Sequence, residues 1–138
     1  VVQAQQTLAS EKKVTFSFEK IPNVLVWGDP QRLEQVFQNL LENALHHAPE
    51  GTSIKLTMRT QKHGICVDIT DCGNGIKPED LSRIFERYFY RKSKDNQSSG
   101  LGLSIAKEIV TAHQGTLSVS SEAEKGSTFT VYLPLCPK

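Results

Sequence analysis

Hydrophobic residues fall into two periods along this chain, and each change of period marks an element. Over 14–18, "VTFSF" alternates apolar and polar residues, the period of a strand with one buried face. "NVLVW" at 23–27 reads as a second, shorter strand. The period then lengthens. Leu33, Val36, Phe37, Leu40, Leu41, Ala44 and Leu45 follow at spacings of three and one, a single stripe on a helix predicted over about 30–47. Asp29 can cap its free amides, Pro30 suits its first turn, and "PEG" at 49–51 ends it. Two strands are expected near 53–60 and 64–71, with a turn around His63 and Gly64.

Residues 86–99, "ERYFYRKSKDNQSS", carry little core pattern and read as a mobile loop. A helix is predicted over 100–113, "GLGLSIAKEIVTAH", with Gly115 as its stop. "TLSVSS" and "STFTVYLP" read as closing strands joined by a turn at Lys125 and Gly126. Residues 3–13 are polar and helix-tolerant, the expected end of a helix whose body lies upstream. Strands that come in neighbouring pairs favour antiparallel pairing, so the order predicts an α+β fold: a mixed, mostly antiparallel sheet with helices on one face.

Composition narrows the function. The chain has 138 residues, 38% hydrophobic and 22% charged, which fits one soluble globular domain. A formal net charge of +1 argues against wholesale electrostatic binding of nucleic acid or an anionic membrane. No apolar run approaches the roughly 20 residues that span a bilayer, and no signal-peptide pattern is present. The chain opens Val1-Val2 and its one methionine is Met58, so a piece of a longer protein is expected. Cys66, Cys72 and Cys136 form no C-x-x-C pair, which favours free thiols over a disulfide or zinc framework.

Candidate chemistry gathers at three places. In "ICVDITD" (65–71), Asp71 shares parity with Ile65, Val67 and Ile69, so its carboxylate points to the buried face. There it needs a cation, a buried donor or a ligand N–H, and Gly73 and Gly75 would let a planar ligand approach the backbone. The alternative is a turn that Asp71 merely caps. On the long helix, Asn39 and Asn43 stack one turn apart, and His46 and His47 continue their line. Amide oxygens suit Mg²⁺; a solvated polar flank is the alternative. At the last helix, Gly100, Leu101, Gly102 and Leu103 form a glycine-rich start suited to an anion. Arg87, Arg91, Lys92 and Lys94 in the preceding loop could close over phosphates or simply be solvated. Neither the Walker pattern nor G-x-G-x-x-G occurs.

Taken in order, "QVFQNLLENALHHAPEG", "DCGNGI", "IFERYF", "GLGLSIAKEIVTAHQG" and "GSTFTVYLP" resemble the catalytic, ATP-binding domain of bacterial sensor histidine kinases. That superfamily is shared with DNA gyrase B, the MutL repair proteins and an ATP-dependent chaperone. The resemblance runs from about Val14 to Pro134. It implies a two-layer α/β sandwich of the Bergerat type with about three helices and a mobile ATP lid near 77–101. Residues 1–13 would end a linker from a missing dimerisation domain, and 14–138 would form the catalytic domain.

The resemblance also implies roles. Asp71 would accept the adenine amino group, which would be its missing partner. Gly73 and Gly75 would keep the base pocket open, with Ile76 as an apolar wall. Asn39 and Asn43 fall in the asparagine box, with Asn43 as Mg²⁺ ligand, and His46 lies near the phosphates. Phe85 and Phe89 match the phenylalanine box that anchors the lid, and Arg87 and Arg91 would be lid cations. Gly100, Leu101, Gly102 and Leu103 match the second glycine box, whose amides cradle phosphates. ATP and Mg²⁺ are the implied ligands. The implied acceptor is a histidine on a separate dimerisation domain, followed by a response regulator, with no nucleic acid and no direct membrane contact. A monomeric fragment of a homodimeric, cytoplasmic or membrane-anchored parent is expected.

Two departures stand out. Ser98 and Ser99 precede Gly100, where relatives carry a further glycine. Asn39 occupies the place where ATPase relatives carry a glutamate base, which favours transfer to a protein over hydrolysis. An ATPase, a serine kinase or a pseudokinase with the same boxes remains the alternative.

Overall fold

In a computed structural model, residues 14–18, 26, 28–86, 101–122 and 125–135 are described. Five strands form one sheet: β1 (Thr15–Phe18), β2 (Ser53–Gln61), β3 (Gly64–Asp71), β4 (Thr116–Glu122) and β5 (Gly126–Pro134). Their spatial order is β1-β2-β3-β5-β4. The pairs β2–β3, β3–β5 and β4–β5 are antiparallel, and β1–β2 is parallel. The fold is the expected α+β, mixed and mostly antiparallel.

The parallel pair arises because α1 (Pro30–His47) intervenes between β1 and β2. A crossover helix returns the chain in the same direction, whereas a tight turn reverses it. The expected strand at 23–27 is described only at Val26, which makes an isolated antiparallel bridge to Leu135.

α1 begins where the sequence places it. Asp29 Oδ1 accepts from the amides of Gln31 (3.0 Å) and Arg32 (3.4 Å), and Pro30 opens the first turn. Its stripe faces the core: Val36, Leu40, Leu41, Ala44 and Leu45 are buried, and Leu33 and Phe37 pack against them. The second long helix is α3 (Gly102–Ala112), which buries Ala106, Ile109 and Val110. Both cover the face of the sheet that carries Ile65, Val67, Ile69, Phe129, Val131 and Leu133. Between them in sequence lies the single turn α2 (Pro78–Leu81), which buries no residue.

α3 is shorter than expected at both ends, and its stop is not the glycine. Gln114 takes the left-handed conformation (φ 63°), while the Gly115 amide donates back to the Val110 carbonyl (2.9 Å). Gly115 is needed for another reason: a Cβ there would collide with the Tyr132 carbonyl oxygen of β5.

Candidate functional site

β3 ends in Asp71, 2% exposed, and the sheet register sets it directly opposite Ser127. Its parity with Ile65, Val67 and Ile69 puts the carboxylate on the helix-covered face. There it has protein partners after all. Ser127 Oγ donates to Oδ2 (2.8 Å), and the Gly73 amide donates to Oδ1 (2.9 Å). The buried charge is therefore hydrogen-bonded within the chain, and the capped-turn reading is realised together with the buried one. Each carboxylate oxygen has a second lone pair, so one more donor can be accommodated.

The loop beyond is fixed on both sides. Gly73 lies so close to the end of α1 that a Cβ would strike the His47 carbonyl oxygen, so this glycine serves close approach of two backbones. Gly75 has φ 77°, a left-handed turn position. The Ile76 amide donates to Ser121 Oγ (2.7 Å), which donates in turn to the Gly126 carbonyl (3.0 Å). Gly126 is required twice over: its φ is 104°, and a Cβ would collide with the Asp71 carbonyl oxygen. The Ile76 side chain is buried in the core.

α1 connects this loop to the third candidate region. Asn39 Nδ2 donates to the Gly102 carbonyl at the start of α3 (3.1 Å). Asn43 lies one turn further on, half-buried, with its amide nitrogen withdrawn from solvent. Half-buried His46 and His47 follow, and the His47 carbonyl meets Gly73. From Asn39 to His47 is about 12 Å along a helix. One helix thus touches the glycine start of α3 at one point and the Asp71 loop at the other.

Leu101 precedes α3 without giving its amides a side-chain cap. Leu103 is half-buried against the core. Phe85 packs edge-on against Phe129 (6.2 Å, 85°), and Lys107 Nζ lies 4.7 Å over its ring while donating to the Leu117 carbonyl (3.1 Å). Ile84 is buried, so residues 77–86 of the expected lid segment lead off a part of the chain fastened to the core. Gly100, Arg87, Arg91 and Phe89 lie outside the described residues.

Sequence reasoning missed Ser127, Ser121 and Lys107. Ser127 had a signal: it is the hydroxyl next to Gly126 in a strand whose alternate residues Phe129, Val131 and Leu133 are apolar. A cavity of about 190 Å³ lies beside Asp71, lined by Ser120, Ser121, Lys125 and Thr128 among others. That volume falls short of the size usual for a small-molecule site.

The donor set suits magnesium better than zinc. Asn39 and Asn43 offer amide oxygens, hard donors of the kind Mg²⁺ takes. Among the described residues, no three His, Cys, Asp or Glu side chains are gathered to hold a metal ion. Mg²⁺ needs no such cage, since it keeps waters and is shared with substrate phosphates. Cys66 and Cys72 are free thiols.

Residues 28–137 match the family of histidine kinase-, DNA gyrase B- and HSP90-like ATPases. The chain belongs to this family. Among relatives of this ATPase domain, the heme sensor protein HssS of Staphylococcus saprophyticus is 37% identical over the whole chain, which covers 30% of that protein. The mycobacterial sensor histidine kinase MprB superposes with a TM-score of 0.85 at 28% identity, over 99% of this chain and 95% of that structure. Full-length ShkA, solved in complex with AMPPNP, superposes with a TM-score of 0.84 at 25% identity, over 99% of this chain and 29% of that one. The chain thus spans less than a third of the length of HssS. Among its described residues no helix is long and apolar enough to cross a membrane.

Proposed function

We propose that this domain binds Mg·ATP and donates its γ-phosphoryl group to a histidine on a separate dimerisation domain of a longer sensor kinase, for relay to a response regulator. The observation that carries the reading is α1 linking two sites: the buried Asp71 carboxylate, and the uncapped glycine start of α3.

Adenine has an exocyclic amine, a donor for the lone pair that Asp71 still has, while Ser127 and Gly73 hold the carboxylate in one orientation. Gly102 and Leu103 would present backbone amides to the phosphates, helped by the positive end of the α3 dipole. Gly100, Arg87 and Arg91 would add to that phosphate site. His46 would lie toward the phosphates from the same helix, one turn beyond Asn43 and two beyond Asn39. The magnesium ion would be held by the Asn43 amide oxygen and would neutralise charge on the phosphates. Phe85, packed against Phe129, would anchor the ATP lid proposed over about 77–101. Ile76 and Gly75 would border the base.

In the transfer, the bond between the γ-phosphorus and its bridging oxygen breaks, ADP leaves with the electron pair, and a nitrogen of the acceptor imidazole bonds to phosphorus. Such chemistry asks for positioning and charge neutralisation. Asn39, where hydrolases carry a glutamate, offers no base for water, so ATP should persist until an acceptor histidine arrives. The domain would work at the cytoplasmic side of a dimeric parent, and the chain alone as a monomer.

Calorimetry of Mg·ATP on the wild type and Asp71→Asn tests this. The substitution should weaken binding by roughly 10- to 100-fold, the worth of a hydrogen bond to a charged group. Adding a dimerisation domain should then give phosphohistidine on that domain. A well-folded wild type that fails to bind Mg·ATP would sink the proposal. Steady ATP turnover without an acceptor would replace it with the ATPase reading.

A further inference from the structure

We infer that Asn39 is a positioning residue: by donating to the Gly102 carbonyl, its side-chain amide fixes where the first turn of α3 lies against α1. The consequence for nucleotide rests on the function proposed above, but the tether itself joins two parts of this chain.

α3 starts without a side-chain cap on its amides. Its first turn carries side-chain contacts to carbonyls. Ser104 Oγ donates to the Leu101 carbonyl (2.8 Å), which is internal to the turn, and Asn39 Nδ2 donates to Gly102 from the neighbouring helix (3.1 Å). The far end of the pair has its own fastening: the Asp29 amide donates to His113 Nε2 (3.0 Å), while His113 Nδ1 bonds the Ile109 carbonyl (2.8 Å). α1 therefore grips α3 at both ends, and Asn39 is the grip at its N-terminal end. Fixing the turn through a carbonyl does not itself occupy an amide of that end, as a conventional N-cap side chain would. A carboxylate at position 39 has no proton to donate at neutral pH and would set acceptor against acceptor. The residue type that serves as a base in hydrolases is thus incompatible with this contact.

Two measurements test the assignment. The first is amide hydrogen exchange on ligand-free wild type and Asn39→Leu, which removes the donor without adding charge. Exchange at Ile105 and Ala106 should quicken roughly two- to tenfold, the scale of one hydrogen bond, with Val110 and Thr111 unchanged. Unchanged rates at the first turn, or equal acceleration at both ends, would overturn the tether. The second is Asn39→Glu, which should show weaker Mg·ATP binding than wild type and no gain in ATP turnover. Faster turnover would make position 39 a base site and the inference wrong. A wild type that does not bind Mg·ATP would remove the nucleotide reading, while the exchange experiment would still decide the tether.

Discussion

Asp68 and Asp71 lie three residues apart on β3 and face opposite sides of the sheet, with opposite fates. Asp68 lies on the face away from the helices, where Arg59 Nε donates to Oδ2 (3.0 Å) and Thr130 Oγ1 to Oδ1 (2.6 Å). Burial works to raise its pKa. The hydrogen bonds from Thr130, Arg59 and Thr57 and the Arg59 charge outweigh it, so the carboxyl titrates below its ordinary value. A depressed folded pKa contributes stability above the unfolded value of about 3.9, lost as pH falls through the lower folded value. Urea midpoints measured below about pH 4 should therefore fall less steeply for Asp68→Asn than for wild type. An equal slope would mean that the network holds no charge-dependent stability. Burial of Asp71 was legible, because parity with Ile65, Val67 and Ile69 needs only the local sequence. Its pairing with Ser127 was not, because register between strands 56 residues apart is set by the assembled sheet.

At the scale of elements, α1 was read to the residue because both of its signals are local: a cap at Asp29 and a stripe of seven apolar side chains. α3 was read less well. Gly115 looks like a helix stop in sequence, yet the left-handed position falls on Gln114, and the glycine answers to the Tyr132 carbonyl across the sheet. A non-glycine residue in that conformation is strained by about 1 kcal/mol. Gln114→Gly should therefore stabilise the chain by about 0.5–1 kcal/mol, read as a raised thermal midpoint. A lowered midpoint would mean that the Gln114 side chain supplies contacts that outweigh the relief. The parallel β1–β2 pair was likewise hidden: strand patterns carry no direction, and the crossover through α1 decides it.

The whole molecule closes around Phe129, 1% exposed in β5, where its ring meets Phe85 and its neighbours Val131 and Leu133 meet the helices. Phe129→Ala should cost about 3–5 kcal/mol, a large share of the 5–15 kcal/mol typical of a domain. Denaturant unfolding reads it directly, and a loss under about 1 kcal/mol would show that the core collapses around the gap. The layered α+β plan was legible because element order limits the ways such faces can be buried. Strand order was not: β5, latest in the chain, lies between β3 and β4. That placement matters to a ribosome. When β4 emerges, β3 has one edge still bare, and three of the core's side chains have yet to be made. At roughly 5–20 residues per second, the earlier part of the domain waits on the order of a second with an inner strand missing. Whatever shelters the nascent chain must do so until Pro134 is clear, because the last strand made is an inner one and not an edge.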